Sequence, residues 1–131
     1  MTNHVVMLLV DSDTDLNNAN QCIFYPRGYT VLTATSIACA QVILRETEPD
    51  IIMMETNLPD GNGFDFCKVL YGKTAASIIF LTSRTGGKNM AKGIRLGAVD
   101  YIEKPVNKDI VVAHVEAIML CRRERCSVRQ K

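Results

Sequence analysis

The chain has 131 residues, of which 47% are hydrophobic and 22% charged, and this is the size and composition of a single globular domain. Its net charge of +1 is uneven, because the last eleven residues carry +4 and the preceding 120 carry −3. An acidic body argues against a nucleic-acid-binding domain, and no apolar run approaches the roughly 20 residues of a membrane span. The amino-terminal residues show no signal-peptide pattern, so we expect a cytoplasmic domain with no membrane contact.

Five short apolar runs predict strands that are buried on both faces of a parallel sheet. They cover residues 5–10, 30–34, 50–55, 77–83 and 98–103. The remaining segments are long enough for helices, which we predict over residues 14–25, 36–47, 63–71, 87–96 and 108–123. This alternation predicts an α/β fold with right-handed crossovers and no internal domain boundary.

The first and last predicted helices differ in how strongly their sequences favour a helix. The first contains Asn17, Asn18 and Asn20, which favour caps and turns over helix interiors. The last carries a clear apolar stripe. We interpret His114, which lies on that stripe, as a packed or boundary residue rather than a ligand.

The cysteines are odd in number and irregularly spaced, and they form no CxxC motif. They occupy positions Cys22, Cys39, Cys67, Cys121 and Cys126. This pattern is typical of reduced thiols, which suits the cytosol. A redox pair formed by Cys121 and Cys126 is the alternative.

Polar side chains follow the predicted strands at their carboxyl ends, where sheets of this class bind ligands. These side chains belong to Asp11, Ser12, Asp13, Asp15, Glu55, Thr82, Ser83 and Lys104. Carboxylate oxygens suit Mg²⁺, and a lysine and a hydroxyl facing a metal suit a phosphoryl group. The sequence therefore predicts a phosphoryl-type site at one edge of the sheet.

The motifs "LLVDSD", "PDIIMMETNLPDGNGFDFC", "IIFLTSR" and "GAVDYIEKP" identify a family resemblance. Over residues 4–121 the chain resembles a response-regulator receiver domain of two-component signalling. The resemblance implies a flavodoxin-like (βα)5 fold, a doubly wound five-stranded parallel sheet in the order 2-1-3-4-5. It also implies a signalling domain rather than an enzyme.

The resemblance assigns a role to each residue of the phosphoryl site. Glu55 stands at the phosphoacceptor position, where the family has an aspartate that receives a phosphoryl group. Thr82 is the hydroxyl that closes on that group, and Lys104 pairs with it. Tyr101 is the aromatic residue whose rotamer follows the switch, and the bond before Pro105 is usually cis in the family.

The metal site implied by the resemblance is incomplete in this chain. Its members are Asp11, Ser12 and the backbone carbonyl of Asn57, and Ser12 replaces an acid. We therefore expect Mg²⁺ to bind weakly or not at all. A conventional Mg²⁺-dependent receiver that uses a nearby acid such as Asp13 is the alternative.

The glutamate suggests an atypical receiver that ordinary aspartyl phosphorylation does not switch. Its extra methylene moves the carboxylate by roughly 1.5 Å. There Glu55 can pair with Lys104 and accept a hydrogen bond from Thr82 without a metal, as a partial mimic of phosphate. An inert scaffold that merely tolerates Glu55 is the competing interpretation.

Two enzyme-like or carrier functions compete with the receiver function. A haloacid-dehalogenase-type phosphatase would use the Asp-x-Asp pair Asp11 and Asp13, with Thr82 and Lys104, but Asp15 and the lack of a cap argue against it. A flavodoxin-like electron carrier would need a phosphate-binding loop after the first strand, and the acidic loop found there would repel phosphate.

Partners and domain limits follow from the resemblance. We expect a sensor histidine kinase or another signalling protein as partner, and a homodimer formed through helix 4, strand 5 and helix 5. We place the receiver domain at residues 1–121, and residues 122–131 as a basic tail or the start of a linker to an effector domain. Contact with DNA, and hence transcription regulation, would require that effector domain.

Overall fold

The computed structural model describes the backbone of residues 4–129 and the side chains of residues 4–123. The main strands are β1 Val5–Val10, β2 Tyr29–Ala34, β3 Ile51–Met54, β4 Ser77–Thr82 and β5 Asp100–Glu103. The helices are α1 Thr14–Phe24, α2 Ile37–Glu46, α3 Gly63–Leu70, α4 Gly87–Arg95 and α5 Lys108–Arg129. A short 3₁₀ turn, Tyr25–Arg27, follows α1, and a small antiparallel ribbon pairs Asn57–Leu58 with Gly61–Asn62.

The main sheet is parallel throughout, with strand order β2-β1-β3-β4-β5. The predicted fold is therefore confirmed, including the order 2-1-3-4-5. Successive residues of β1 point to opposite faces: Met7 and Leu9 enter a core shared with α1 and α5, whereas Leu8 and Val10 enter a core shared with α2 and α3. This two-sided burial explains why the strands read as continuous apolar runs.

Helix α1 forms despite its three asparagines. Asp13 caps its amino terminus by accepting a hydrogen bond from the Leu16 amide at 3.0 Å. Asn17 and Asn20 are buried, and the Asn17 amide group donates to the Asp11 backbone carbonyl at 2.8 Å. A side-chain cap and tertiary contacts thus outweigh weak intrinsic helix propensity.

Helix α5 continues to Arg129, six residues beyond its predicted end. No glycine or proline interrupts residues 108–129, so the helical backbone hydrogen bonding can continue. Arg122, the first residue of the predicted tail, donates to the Ala75 carbonyl at 2.8 Å and to the Ser77 hydroxyl at 2.9 Å. The helix is therefore anchored to the body at that residue, and the side chains of residues 124–131 lie outside the described part of the chain.

His114 and the described cysteines occupy ordinary structural positions. His114 is half-buried, and its Nδ1 lies 2.5 Å from Asp100 Oδ2, as expected of a boundary residue. Cys67 is buried, and burial raises the pKa of its thiol to about 11. The alternative pairing of Cys121 with Cys126 falls outside the described side chains. None of the helices within residues 4–129 is both long and apolar enough to cross a bilayer.

Candidate functional site

The carboxyl ends of four strands bring the predicted site residues together in one crevice. Asp11 follows β1, Glu55 follows β3, Thr82 ends β4 and Lys104 follows β5. Asp11 and Glu55 are only 7% and 5% exposed, and Thr82 is fully buried. Parallel strands deliver their ends to one edge of the sheet, which explains how residues up to 93 positions apart meet here.

The Lys104 ammonium bridges the two carboxylates of the crevice. Its Nζ lies 2.7 Å from Asp11 Oδ2 and 2.8 Å from Glu55 Oε2. The remaining Asp11 oxygen, Oδ1, accepts from the Asp13 amide at 2.9 Å. One cation of the chain thus balances part of the negative charge that would otherwise accumulate between the two acids.

These contacts shift the pKa values of both Glu55 and Lys104 toward the charged forms. Burial alone would raise the pKa of Glu55, but hydrogen bonds from Lys104 and Thr82, the charge of Lys104 and the Thr56 amide hold that pKa below its ordinary value. Burial alone would lower the pKa of Lys104, but its bonds to Asp11 and Glu55 hold it above its ordinary value. Both groups are therefore ionised at neutral pH.

The second Glu55 oxygen, Oε1, holds the hydroxyl of Thr82, which donates a short hydrogen bond to it. Oε1 also accepts from the Thr56 amide at 2.8 Å and from the Thr56 hydroxyl at 3.2 Å. The Thr56 hydroxyl lies 2.9 Å from the Thr82 hydroxyl. The Ser83 amide approaches Glu55 Oε2 at 3.3 Å. Every oxygen of the Glu55 carboxylate therefore has protein partners.

Sequence reasoning missed Thr56. The residue stands directly after a buried strand and looks like part of the strand end. A signal was present, because a hydroxyl beside the predicted acceptor can reach the same oxygen. Asp60 was missed too: its two oxygens each accept at 2.9 Å from the Ile37 and Ala38 amides, and these bonds tie the loop after Glu55 to the start of α2.

Thr82 connects the crevice to Tyr101 through the β4–α4 loop. Its hydroxyl accepts from the Arg84 amide at 3.0 Å, and the Arg84 carbonyl accepts from the Tyr101 hydroxyl at 2.5 Å. The Tyr101 ring is buried against Phe64 and Phe80. Gly93 makes room for it, since a Cβ there would lie 2.9 Å from the ring. Tyr101 thus faces inward, and the Lys104–Pro105 bond is cis.

The carboxylate oxygens of Asp11 that a divalent cation would use already have hydrogen-bond partners. Asp11 has one oxygen on Lys104 and the other on the Asp13 amide, and Ser12 is exposed and carries no charge. Asp13 is exposed as the cap of α1. Asn57 begins the small antiparallel ribbon, and its side chain, rather than the backbone carbonyl of the implied metal site, accepts from the Arg84 guanidinium at 3.0 Å. Within the described residues, no three acidic, histidine or cysteine side chains come together in one cluster.

The chain is similar to one protein family and to regulators from several bacteria. The model of the response regulator receiver domain family matches residues 7–116. The transcriptional regulatory protein YxdJ of Bacillus subtilis (strain 168) is 33% identical over 112 residues, which are 85% of this chain and 48% of that protein. The regulator AfsQ1 of Streptomyces coelicolor is 31% identical over 86% of this chain and 50% of its own length. The chain thus spans about half the length of these relatives.

Solved structures agree with the sequence matches. A two-component response regulator from Clostridium difficile superposes with a TM-score of 0.85 at 26% identity, covering 88% of this chain and 95% of that one. A CheY-like receiver domain from Methanospirillum hungatei JF-1 gives a TM-score of 0.88 at 20% identity, which supports the fold alone. These matches argue for the receiver function and against the phosphatase and electron-carrier alternatives. In addition, Asp13 caps α1 and does not form a phosphatase pair with Asp11. The chain belongs to the response-regulator receiver domain family of two-component signalling, a signalling domain rather than a catalytic enzyme.

Proposed function

We propose that this receiver domain is atypical and holds its signalling arrangement without ordinary aspartyl phosphorylation. One observation carries the proposal: the Glu55 carboxylate contacts Thr82 through Oε1 and Lys104 through Oε2 at the same time. These are the two side chains that the family resemblance assigns to the phosphoryl group. The extra methylene of glutamate lets its carboxylate extend far enough to contact both side chains.

The mimicry is partial in charge and in geometry. A carboxylate brings one negative charge and two oxygens, whereas a phosphoryl group brings about −1.5 to −2 charges and three oxygens. Lys104 and Thr82 nevertheless use both carboxylate oxygens, and Tyr101 faces inward against the loop that Thr82 holds. The proposed state is therefore a standing bias of the switch rather than a full substitute for phosphorylation.

Lys104 takes the place of the metal in this proposal. Its ammonium occupies one oxygen on each of Asp11 and Glu55, and Ser12 offers no compensating carboxylate. A cation would have to displace these charge-assisted hydrogen bonds before it could bind. Mg²⁺ binding is therefore weak or absent in the wild-type protein.

Amide chemical shifts of residues 82–87 and of Tyr101 test the proposal. Glu55→Gln and Glu55→Asp should both move these shifts, because the first loses the charge and the second loses the reach. Glu46→Gln, which alters an exposed acid at the far end of α2, is the matched control and should leave them in place. If both Glu55 variants keep the wild-type shifts, Glu55 biases no switch and the domain is an inert scaffold.

A sensor histidine kinase or another signalling protein is the proposed partner, as two-component signalling implies. The proposed homodimer uses the face of α4, β5 and α5, where Ile94, Val99 and Ile110 are 44%, 47% and 49% exposed. Burying such side chains is worth more than the scattered charges beside them. Ile110→Glu should therefore lower the dimer fraction in light scattering, whereas Val42→Glu on α2 should not; the reverse result would place the contact elsewhere.

DNA contact is proposed only through an effector domain. The matched relatives are about twice as long as this chain and are named as transcriptional regulators. The receiver would lie at residues 1–121, with the basic segment 122–131 leading toward that domain. We also propose a cytoplasmic location. The cysteines of the described residues are free thiols, which is compatible with that location.

A further inference from the structure

Thr56 is a buried hydroxyl with contacts on both sides of the Glu55–Thr82 hydrogen bond. Its side chain is fully buried, and its Oγ1 lies 3.2 Å from Glu55 Oε1 and 2.9 Å from Thr82 Oγ1. Its backbone amide reaches the same Glu55 oxygen at 2.8 Å. We propose that Thr56 is a positioning residue that adapts this site to a glutamate by fixing both the Glu55 carboxylate and the direction in which Thr82 donates. The inference rests on the proposed function of Glu55.

The count of protons in the cluster determines the direction of each hydrogen bond. Each threonine hydroxyl has one proton and two acceptor lone pairs. The Arg84 amide already donates to Thr82 Oγ1, and the ionised Glu55 carboxylate has no proton to donate to its hydrogen bond with Thr82. Thr82 therefore donates to Glu55. The Thr56 proton is then directed at Thr82 Oγ1, at Glu55 Oε1 or at both.

The glutamate side chain needs this clamp more than an aspartate would. The terminal torsion of either carboxylate is broad, but glutamate has one more rotatable bond than aspartate, so its oxygens are less well fixed by the side chain itself. Lys104 and the Ser83 amide contact Oε2, whereas Oε1 accepts from Thr82 and Thr56 and, at 3.4 Å, from the Asn57 amide. The β-branched Thr56 side chain has restricted torsional freedom, so its hydroxyl is aimed in advance.

The effect of Thr56 reaches the surface through a chain of contacts. Thr82, held by Glu55 and Thr56, accepts from the Arg84 amide, and the Arg84 carbonyl accepts from Tyr101. Loss of the Thr56 hydroxyl would remove one of the three partners of the fully buried Thr82 oxygen and leave it only Glu55 and the Arg84 amide. The loop that carries Arg84 would then lose part of its restraint.

Thr56→Val and Thr56→Ser in the full chain test the inference. Valine keeps the shape and removes the hydroxyl, and serine restores the hydroxyl. We expect Thr56→Val to raise the pKa of Glu55, read by carboxyl ¹³C titration, and to move the amide resonances of Ser83 and Arg84. Thr56→Ser should return both readouts toward wild type. Thr33→Val, at an exposed threonine on β2, is the control and should change neither.

The outcomes separate this inference from the proposed function. If the Glu55 variants move the loop amides while Thr56→Val leaves them and the Glu55 pKa at wild-type values, Thr56 is not a positioning residue and the proposed function stands. If the Glu55 variants leave the loop unchanged, the proposed function fails whatever Thr56 does. Should Thr56→Val not fold, Thr56→Ala replaces it, and a wild-type Glu55 pKa in that variant overturns the inference.

Discussion

The two sides of the crevice, one at the end of β1 and the other at the ends of β3 and β4, stabilise their buried carboxylates with different sets of partners. On the β1 side, Asp11 relies on Lys104, Ser12 is exposed and uncharged, and Asp13 is used to cap a helix. On the β3–β4 side, the Glu55 carboxylate is enclosed by donors on both of its oxygens. On the β1 side, Ser12 stands where the family resemblance implies an acid, so Asp11 is the acid that faces Lys104. The comparison shows that a single lysine contacts an acid on each side at once, with Nζ 2.7 Å from Asp11 Oδ2 and 2.8 Å from Glu55 Oε2.

Introducing aspartates at positions 12 and 55 together should have the largest effect, which is on the rate of phosphorylation. Wild-type protein should be labelled poorly by acetyl phosphate, since a displacement of about 1 Å in an in-line transfer can cost about a hundredfold. The double variant Ser12→Asp with Glu55→Asp should be labelled about a hundredfold faster, as read by intact mass. Each single variant serves as a control and should fall short of the double variant. Stoichiometric labelling of the wild type at Glu55 within minutes would end the proposal.

Removing the shared lysine should have the next largest effect. Lys104→Met leaves Asp11 and Glu55 facing each other without a cation, which should lower the free energy of unfolding by about 2–3 kcal/mol at pH 7. This figure lies below the usual cost for a fully buried pair because the Lys104 side chain is 20% exposed. Lys108→Met, an exposed lysine at the start of α5, is the matched control. Equal denaturation midpoints for the two variants would contradict a bridging role.

Adding an acid to the β1 side should strengthen metal binding more modestly. Ser12→Asp places a carboxylate beside Asp11 and should tighten Mn²⁺ binding by about tenfold, read by calorimetry or relaxation. Wild-type affinity should be weaker than millimolar. Ser36→Asp, a substitution at the cap of α2 outside the crevice, is the control. Sub-millimolar affinity in the unmodified protein would show that the β1 side still holds a metal.

Lowering the pH should weaken the contacts of Glu55 on the β3–β4 side, and the resulting loss of stability should be the smallest of the predicted effects. Because the pKa of Glu55 is lower in the folded protein than its ordinary 4.5, the stability it contributes is complete above pH 4.5 and is lost as the pH falls through the folded value. Lys104 behaves oppositely: its raised pKa keeps its contribution complete below 10.5. The stability difference between wild type and Glu55→Gln should therefore shrink as the pH falls from neutral to below 4.5. A difference that stays constant over this range would contradict the pairing.

Much of the fold and part of the site could be predicted from the sequence. Continuous apolar runs indicated buried parallel strands because both faces of the sheet are covered. Asp11, Glu55, Thr82 and Lys104 stood at strand ends, and the structure brings them together. The predicted end of α5 at residue 123 was wrong, because the helix continues to Arg129. The basic segment contains no glycine or proline, and charge alone does not end a helix.

Other features were decided only by the tertiary structure. The sequence by itself determined the α/β class, the order of strands and helices along the chain, and the identity of the acid at position 55. It did not determine that Asp13 serves α1, that Thr56 clamps Glu55, or that Tyr101 faces inward under Gly93. The physical reason is that periodicity specifies which face of an element is buried, whereas the choice of hydrogen-bond partner depends on side-chain torsions. Those torsions are set by neighbours far away in the chain, and they exist only once the sheet is assembled.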